Sequence, residues 1–167
     1  MIKIDDRLRT IADMVRGDTV ADIGSDHAYL PIWLCREKKI KKAYAIDISE
    51  KCVAKIKKNI QKHDIPENVI IPVLSDGFSR FESGFDFCGL SDIIIAGMGG
   101  ESIAKIIEKT KTLYDINGIN FVFQPNSKIV FLQNFLSENN FDTKICVVIE
   151  SKKRFYTVIN AKYAGET

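Results

Sequence analysis

At 167 residues, 46% hydrophobic and 28% charged, the chain has the length and composition of one soluble globular domain with a sizeable core. Twenty-four basic against twenty-two acidic residues leave a net charge of only +2, which excludes nucleic-acid binding driven by overall charge and leaves local patches as its electrostatic route. No apolar run reaches the ~20 residues of a membrane span. The start Met1-Ile2-Lys3-Ile4-Asp5-Asp6 is unlike a signal peptide, and Cys35, Cys52, Cys88 and Cys146 form no C-x-x-C pair. The expectation is a cytoplasmic protein with reduced, mostly buried thiols, no metal site and no membrane partner.

Leu8, Ile11, Ala12 and Val15 recur at i, i+3, i+4 and i+7 and predict a leading helix over about residues 5–16, with Asp5 or Asp6 as N-cap and Gly17 past its end. Arg7, Arg9 and Arg16 lie off that stripe, on a face that either meets RNA or is simply solvated. Val20–Ile23 reads as a buried strand, Gly24 as its breaker and Ala28–Glu37 as a helix. Such a turn at the carboxyl end of a strand offers free N–H groups to a ligand, and Gly24 lets that ligand approach the backbone. Asp26 puts negative charge where a dinucleotide pyrophosphate would lie, which favours a cationic or zwitterionic ligand.

Lys42–Asp47 is the next strand, and Ser49 caps a helix over Glu50–Gln61. Asp47 stands 23 positions after Gly24, close to the ~20 at which an acid takes nucleotide ribose hydroxyls; the alternative is an acidic residue in a surface loop. Lys51, Lys55, Lys58 and Lys62 form one basic stripe on the helix, backed by Val53, Ile56 and Ile60, with Lys38, Lys39, Lys41 and Lys42 nearby. The stripe suits phosphates or water equally. Val69–Leu74 is a third strand that Pro72 confines to an edge. Ser75-Asp76-Gly77 ends it, either as a plain turn or with its carboxylate aimed at a ligand donor. Phe78–Gly89 reads as a loop with aromatic anchors. Asp92–Ala96 is a central strand, Gly97-Met98-Gly99-Gly100 a tight turn and Glu101–Lys111 a helix. Gly118–Gln124 is a fifth strand, stopped by Pro125, after which Ser127 caps a helix to Glu138. Phe141–Glu150 and Arg154–Tyr163 are two β-rich runs joined by the short loop Ser151-Lys152-Lys153, an antiparallel hairpin.

The fold class that follows is α/β: a doubly wound, Rossmann-like sheet, mostly parallel, with an antiparallel C-terminal hairpin. This layout resembles that of the class I S-adenosylmethionine-dependent methyltransferases, and Asp22-Ile23-Gly24, Asp47 and Asp76-Gly77 resemble their first three motifs in order. Four longer strings, ADIGSDHAYLPI (Ala21–Ile32), IAGMGG (Ile95–Gly100), QPN (Gln124–Asn126) and FYTVI (Phe155–Ile159), resemble the bacterial tRNA (adenine-22-N1)-methyltransferase family. The resemblance implies S-adenosyl-L-methionine as cofactor, tRNA as partner and methylation of an adenine N1 in the D arm. It assigns cofactor binding to Asp22, Gly24, Ser25, Asp47, Ile48, Asp76, Gly77, Ala96, Gly97 and Met98. Asp26, His27 and Tyr29 become catalytic candidates, and Arg7, Arg9, Lys51, Lys55, Lys58 and Lys62 RNA-binding candidates. Glu150-Ser151-Lys152-Lys153 departs from the acidic stretch of that family, and its helical C-terminal extension has no counterpart up to Thr167. The expectation is therefore a single catalytic domain over residues 1–167, acting as a monomer. Two other readings stay open: a catalytically weak RNA-binding module on a methyltransferase scaffold, and a small-molecule methyltransferase.

Overall fold

A computed structural model describes residues 2–84, 86–151 and 154–165, with no side-chain description at 81, 83 and 145–151. The expectations for Met1, Lys152, Lys153 and Thr167, and those for the side chains of Cys146, Glu150 and Ser151, lie outside the described residues.

Seven strands form one sheet: β1 (Thr19–Ile23), β2 (Lys42–Asp47), β3 (Ile70–Leu74), β4 (Asp92–Gly99), β5 (Asn120–Ser127), β6 (Phe141–Ser151) and β7 (Arg154–Tyr163), in spatial order β3-β2-β1-β4-β5-β7-β6. The first five are parallel, β7 pairs antiparallel with β5, and β6 with β7. The doubly wound sheet and terminal hairpin read from the sequence are both present, and Pro72 lies on edge strand β3, where a missing N–H is tolerated.

Period-2 alternation along the strands feeds two cores because both faces are covered. Val20, Ala43, Ala45, Ile94 and Val122 cluster with Ile11 of α1 (Asp6–Asp13), Ile32 of α2 (Tyr29–Arg36) and Ile56 of α3 (Glu50–Lys62). Ile23, Ile46, Ile93, Ile95 and Phe121 cluster with Ile103 of α4 (Gly100–Leu113), Leu132 of α5 (Ile129–Glu138) and the loop anchors Phe78 and Phe87.

Long-range partners move several element boundaries. Helix α1 is capped by Asp5, which accepts from the Leu8 N–H at 2.9 Å, but it ends at Asp13 rather than running to Arg16. Buried Asp92 captures the N–H groups of Arg16 at 2.9 Å and Gly17 at 2.8 Å, so the chain must leave the helix to reach it. Helix α2 begins after Ala28 because Asp26 and Ala28 hold φ of 48° and 56°, in the left-handed region. Gly97-Met98-Gly99 is not a turn: β4 continues through it, irregular in register between Ala96 and Gly99, with Gly97 at φ 75°. Pro125 does not stop β5 either. Pairing with β7 ends at Phe123, so an N–H at Pro125 would have had no partner on that side. Ser127 is the last residue of β5, and the cap position of α5 is Lys128 in the left-handed region, without a side-chain cap bond.

Candidate functional site

The carboxyl ends of β1 to β5 open into a trough of cavities that share walls. One, of about 470 Å³, is an apolar slot walled by Ile48, Phe78, Met98 and Ile106, with Asp76 and Lys109 among its polar residues. The next, of about 270 Å³, adds Gly24, Asp47, Ala96 and Gly97. A third, also of about 270 Å³, lies among Arg7, Asp22, Ser25, His27 and Tyr29. It meets, across Arg7 and Gly97, a cavity of about 650 Å³ lined by Pro125, Asn126, Arg154, Phe155 and Tyr156. The convergence of strand ends expected from the parallel order thus puts every candidate cofactor residue on this trough.

The turn after β1 is tied to the end of β2. The N–H groups of Gly24 and Ser25 donate to the Ile46 carbonyl at 2.9 and 3.0 Å. Asp47, buried, accepts from the Asp26 N–H at 3.1 Å on one oxygen and from the Ser49 N–H at 3.0 Å on the other, which leaves each oxygen a lone pair for a ligand hydroxyl. Gly24 holds φ 76°, a conformation that calls for glycine, and the Met98 methyl group packs so close that a Cβ there would push that flexible side chain aside. Asp76 is exposed and pairs with Lys109 at 3.2 Å.

Asp22 is buried beneath the turn, its carboxylate accepting from the Ser25 hydroxyl at 2.6 Å. Burial pushes its carboxyl up from 3.8 to about 6; the Ser25 bond works against that, the Asp47 charge adds to it and Arg7 lowers it. In the folded chain Asp22 therefore keeps its proton up to about pH 6, whereas the unfolded chain loses it near 3.8. Stability contributed by this group is full below pH 3.8 and is lost as pH rises to about 6, a shift worth about 3 kcal/mol. Asp22→Asn should raise the urea midpoint at pH 7 and flatten its fall over that window; an unchanged pH profile would contradict the burial argument.

The catalytic candidates divide. His27 and Tyr29 stack with ring centroids 5.0 Å apart at 6° and face the third cavity, Tyr29 at 43% exposure. Asp26 touches that cavity, but its carboxylate turns toward α3, 3.2 Å from Lys55 Nζ, 3.3 Å from Cys52 Sγ and 3.4 Å from His27 Nε2. Partial burial works to raise its carboxyl, but the bonds from Cys52 and Lys55 and the charge of His27 outweigh it and hold Asp26 below its ordinary value.

The basic candidates are likewise split. Lys51, Lys58 and Lys62 are exposed on α3, as is Arg9 on α1. Lys55 is drawn off the stripe by Asp26. Arg7, expected on an RNA-facing or solvated surface, is instead turned inward: its Nη1 donates to Gln124 Oε1 at 2.8 Å and its guanidinium lies 5.8 Å from the Tyr156 ring centroid, whereas Arg16 is exposed as expected and donates to Asn160 Oδ1 at 3.0 Å. The thiols expected to be buried are partly exposed at Cys35 and Cys52 and exposed at Cys88. Sequence reasoning gave no role to Asn126 and Tyr156, which line the trough, or to Gln124, buried behind Arg7, although the string QPN was the available signal, nor to Phe78 and Ile106 in the apolar slot.

A protein-family profile described as "Methyltransferase domain" matches residues 4–159. The chain is 30% identical to the tRNA (adenine(22)-N(1))-methyltransferase of Bacillus subtilis strain 168 over 99% of its own length and 67% of that protein's. The crystal structure of the B. subtilis m1A22 tRNA methyltransferase TrmK superposes with a TM-score of 0.86 at 28% identity, over 98% of this chain and 68% of that one. M. capricolum TrmK in complex with S-adenosyl-homocysteine superposes with a TM-score of 0.82 at 28% identity, over 96% and 69%. No helix among the described residues is long and apolar enough to cross a membrane.

Proposed function

Because the chain belongs to the tRNA (adenine-22-N1)-methyltransferase family, we propose that its carboxyl-rim trough binds S-adenosyl-L-methionine and that the methyl group goes to N1 of adenine 22 in tRNA. The observation that carries this reading is the convergence of Asp22, Asp47 and Asp76 with the apolar slot of Ile48, Phe78, Met98 and Ile106 at one sheet edge. Those residues fit the cofactor in kind. The two lone pairs left on Asp47 suit a vicinal diol, Asp76 can accept from an adenine amine at the slot, and the glycine turn admits a ligand against the backbone. One domain carries all of these groups.

Bound there, the cofactor supplies an electrophilic methyl group on a sulfonium. Adenine N1 already has a lone pair, so this site needs no strong general base, and orientation supplies much of the acceleration. What grows during transfer is positive charge on the base. The carboxylate of Asp26, paired with Lys55 and turned toward α3, would act on that charge only at one remove, through His27 3.4 Å away. The parallel rings of His27 and Tyr29 offer a face on which a splayed-out base can stack. Lys51, Lys58, Lys62 and Arg9, exposed outside the trough, are available to tRNA phosphates.

The decisive experiment is methyl transfer from labelled S-adenosylmethionine to unmodified tRNA, set against the same tRNA with guanine at position 22. Incorporation only into the first supports the reading. Equal incorporation into both, or none into either while calorimetry still detects cofactor binding, overturns it.

A further inference from the structure

We infer that Arg7, Gln124 and Asn126 form a hydrogen-bond relay that fixes the amide of Asn126 to read the N6–N7 edge of the target adenine, which makes Asn126 a specificity-determining residue. The inference rests on the methyltransferase reading above and deepens it.

The relay follows from donor and acceptor chemistry rather than from how an amide is drawn. Arg7 Nη1 lies 2.8 Å from one end of the fully buried Gln124 amide. A guanidinium only donates, so that end must be the oxygen. The Gln124 nitrogen then points the other way, 3.1 Å from the Pro125 carbonyl and 3.0 Å from the Asn126 side chain. Both of its hydrogens are thereby used, and the atom of Asn126 that meets it must be Oδ1, because a flipped amide would set donor against donor. Asn126 is exposed and lines the cavity of about 650 Å³. It presents there, side by side, the hydrogens of Nδ2 and the second lone pair of Oδ1.

A neighbouring donor and acceptor of this kind match adenine, which offers an N6 donor beside the N7 acceptor. They oppose guanine, whose O6 and N7 both accept. The other adenine edge also pairs a donor with an acceptor, but its acceptor is N1, which must stay uncovered to take the methyl group. Holding the base by N6 and N7 leaves N1 open. The cavity adjoins the methyl-transfer region across Arg7 and Gly97, where a Cβ on Gly97 would stand 4.0 Å from Arg7 Nη1. Arg7 and Gln124 act through Asn126 and are positioning residues.

The test uses the full chain and three tRNAs that differ at position 22: adenine, 7-deazaadenine and guanine. The 7-deaza base lacks only the N7 acceptor. Wild type should lose roughly 10-fold in kcat/KM on the 7-deaza tRNA, the value of one base-edge hydrogen bond, whereas Asn126→Ala should treat the two tRNAs alike within about twofold. Guanine carries a proton on N1 and is not a methyl acceptor, so the guanine tRNA serves as a competitive inhibitor. Gln124→Leu removes the donor that holds Asn126 Oδ1, frees the Asn126 amide to turn its two Nδ2 hydrogens toward O6 and N7, and should bring the Ki of that inhibitor several-fold closer to the KM of the adenine tRNA. Equal 7-deaza sensitivity in wild type and Asn126→Ala overturns the inference alone. No methyl transfer by wild type overturns the reading on which it rests.

Discussion

Asp47→Ala should weaken binding of S-adenosylhomocysteine at least about 100-fold in a calorimetric titration. Two hydrogen bonds to a charged acceptor, at roughly 1.5–3 kcal/mol each, exceed the ~2.8 kcal/mol that this factor represents. Asp47 is buried, so water screens those bonds poorly. A second cost falls on the fold: the N–H groups of Asp26 and Ser49 lose their acceptor, and the turn after β1 loosens with them. Asp76→Ala should cost less, about 10-fold, because Asp76 is exposed and already shared with Lys109. An Asp47→Ala protein that binds with parental affinity would remove the ribose assignment.

Asp92→Ala should have the opposite profile, with a large loss of stability and no change in cofactor affinity beyond about twofold. Asp92 is fully buried at the start of β4, at the sheet end remote from the trough. It accepts from the N–H groups of Arg16 and Gly17 and from Asn120 Nδ2 at 2.6 Å, with the Ser91 hydroxyl 2.7 Å away and shared with the Thr19 carbonyl. Asn160 continues the network, its Nδ2 2.7 Å from Asn120 Oδ1. Stranding several buried donors at once costs about 3–5 kcal/mol, which for a domain of this size lowers the melting temperature by roughly 10 °C. A shift of less than about 3 °C would show that water or repacking satisfies those donors.

These two acids show what the sequence could and could not reveal. Asp47 was readable because its meaning is local: a strand that ends at the residue expected, Lys42–Asp47, then a serine cap and a helix. Asp92 carries the same signal, an acid beside an apolar run, yet its partners on residues 16, 17 and 120 come from elements that only the sheet brings together. Arg7 fails to read for the same reason. Its helical periodicity placed it on a solvated face, and nothing local announces an acceptor 117 residues away. The glycines at 97, 99 and 100 were legible as a point of close approach, but 97 and 99 were not legible as strand, because register irregularity against β5 stands in for the turn that composition suggests. Proline at 125 misled because its cost depends on whether a neighbouring strand needs that N–H, and β7 has stopped pairing by then.

Helix α1 runs from one rim of the sheet to the other, and its two ends serve different masters. Asp5 and Arg7, its cap and the guanidinium in the trough, precede Leu8, while the contacts with the Asp92 network begin at Met14, whose carbonyl accepts from Asn120 Nδ2 at 3.0 Å. A protease cut between Arg7 and Leu8 would separate the two. It would remove the residues that help shape the trough, together with the Asp5 cap of α1 and buried Ile4, and leave the anchoring network on the retained side of the cut.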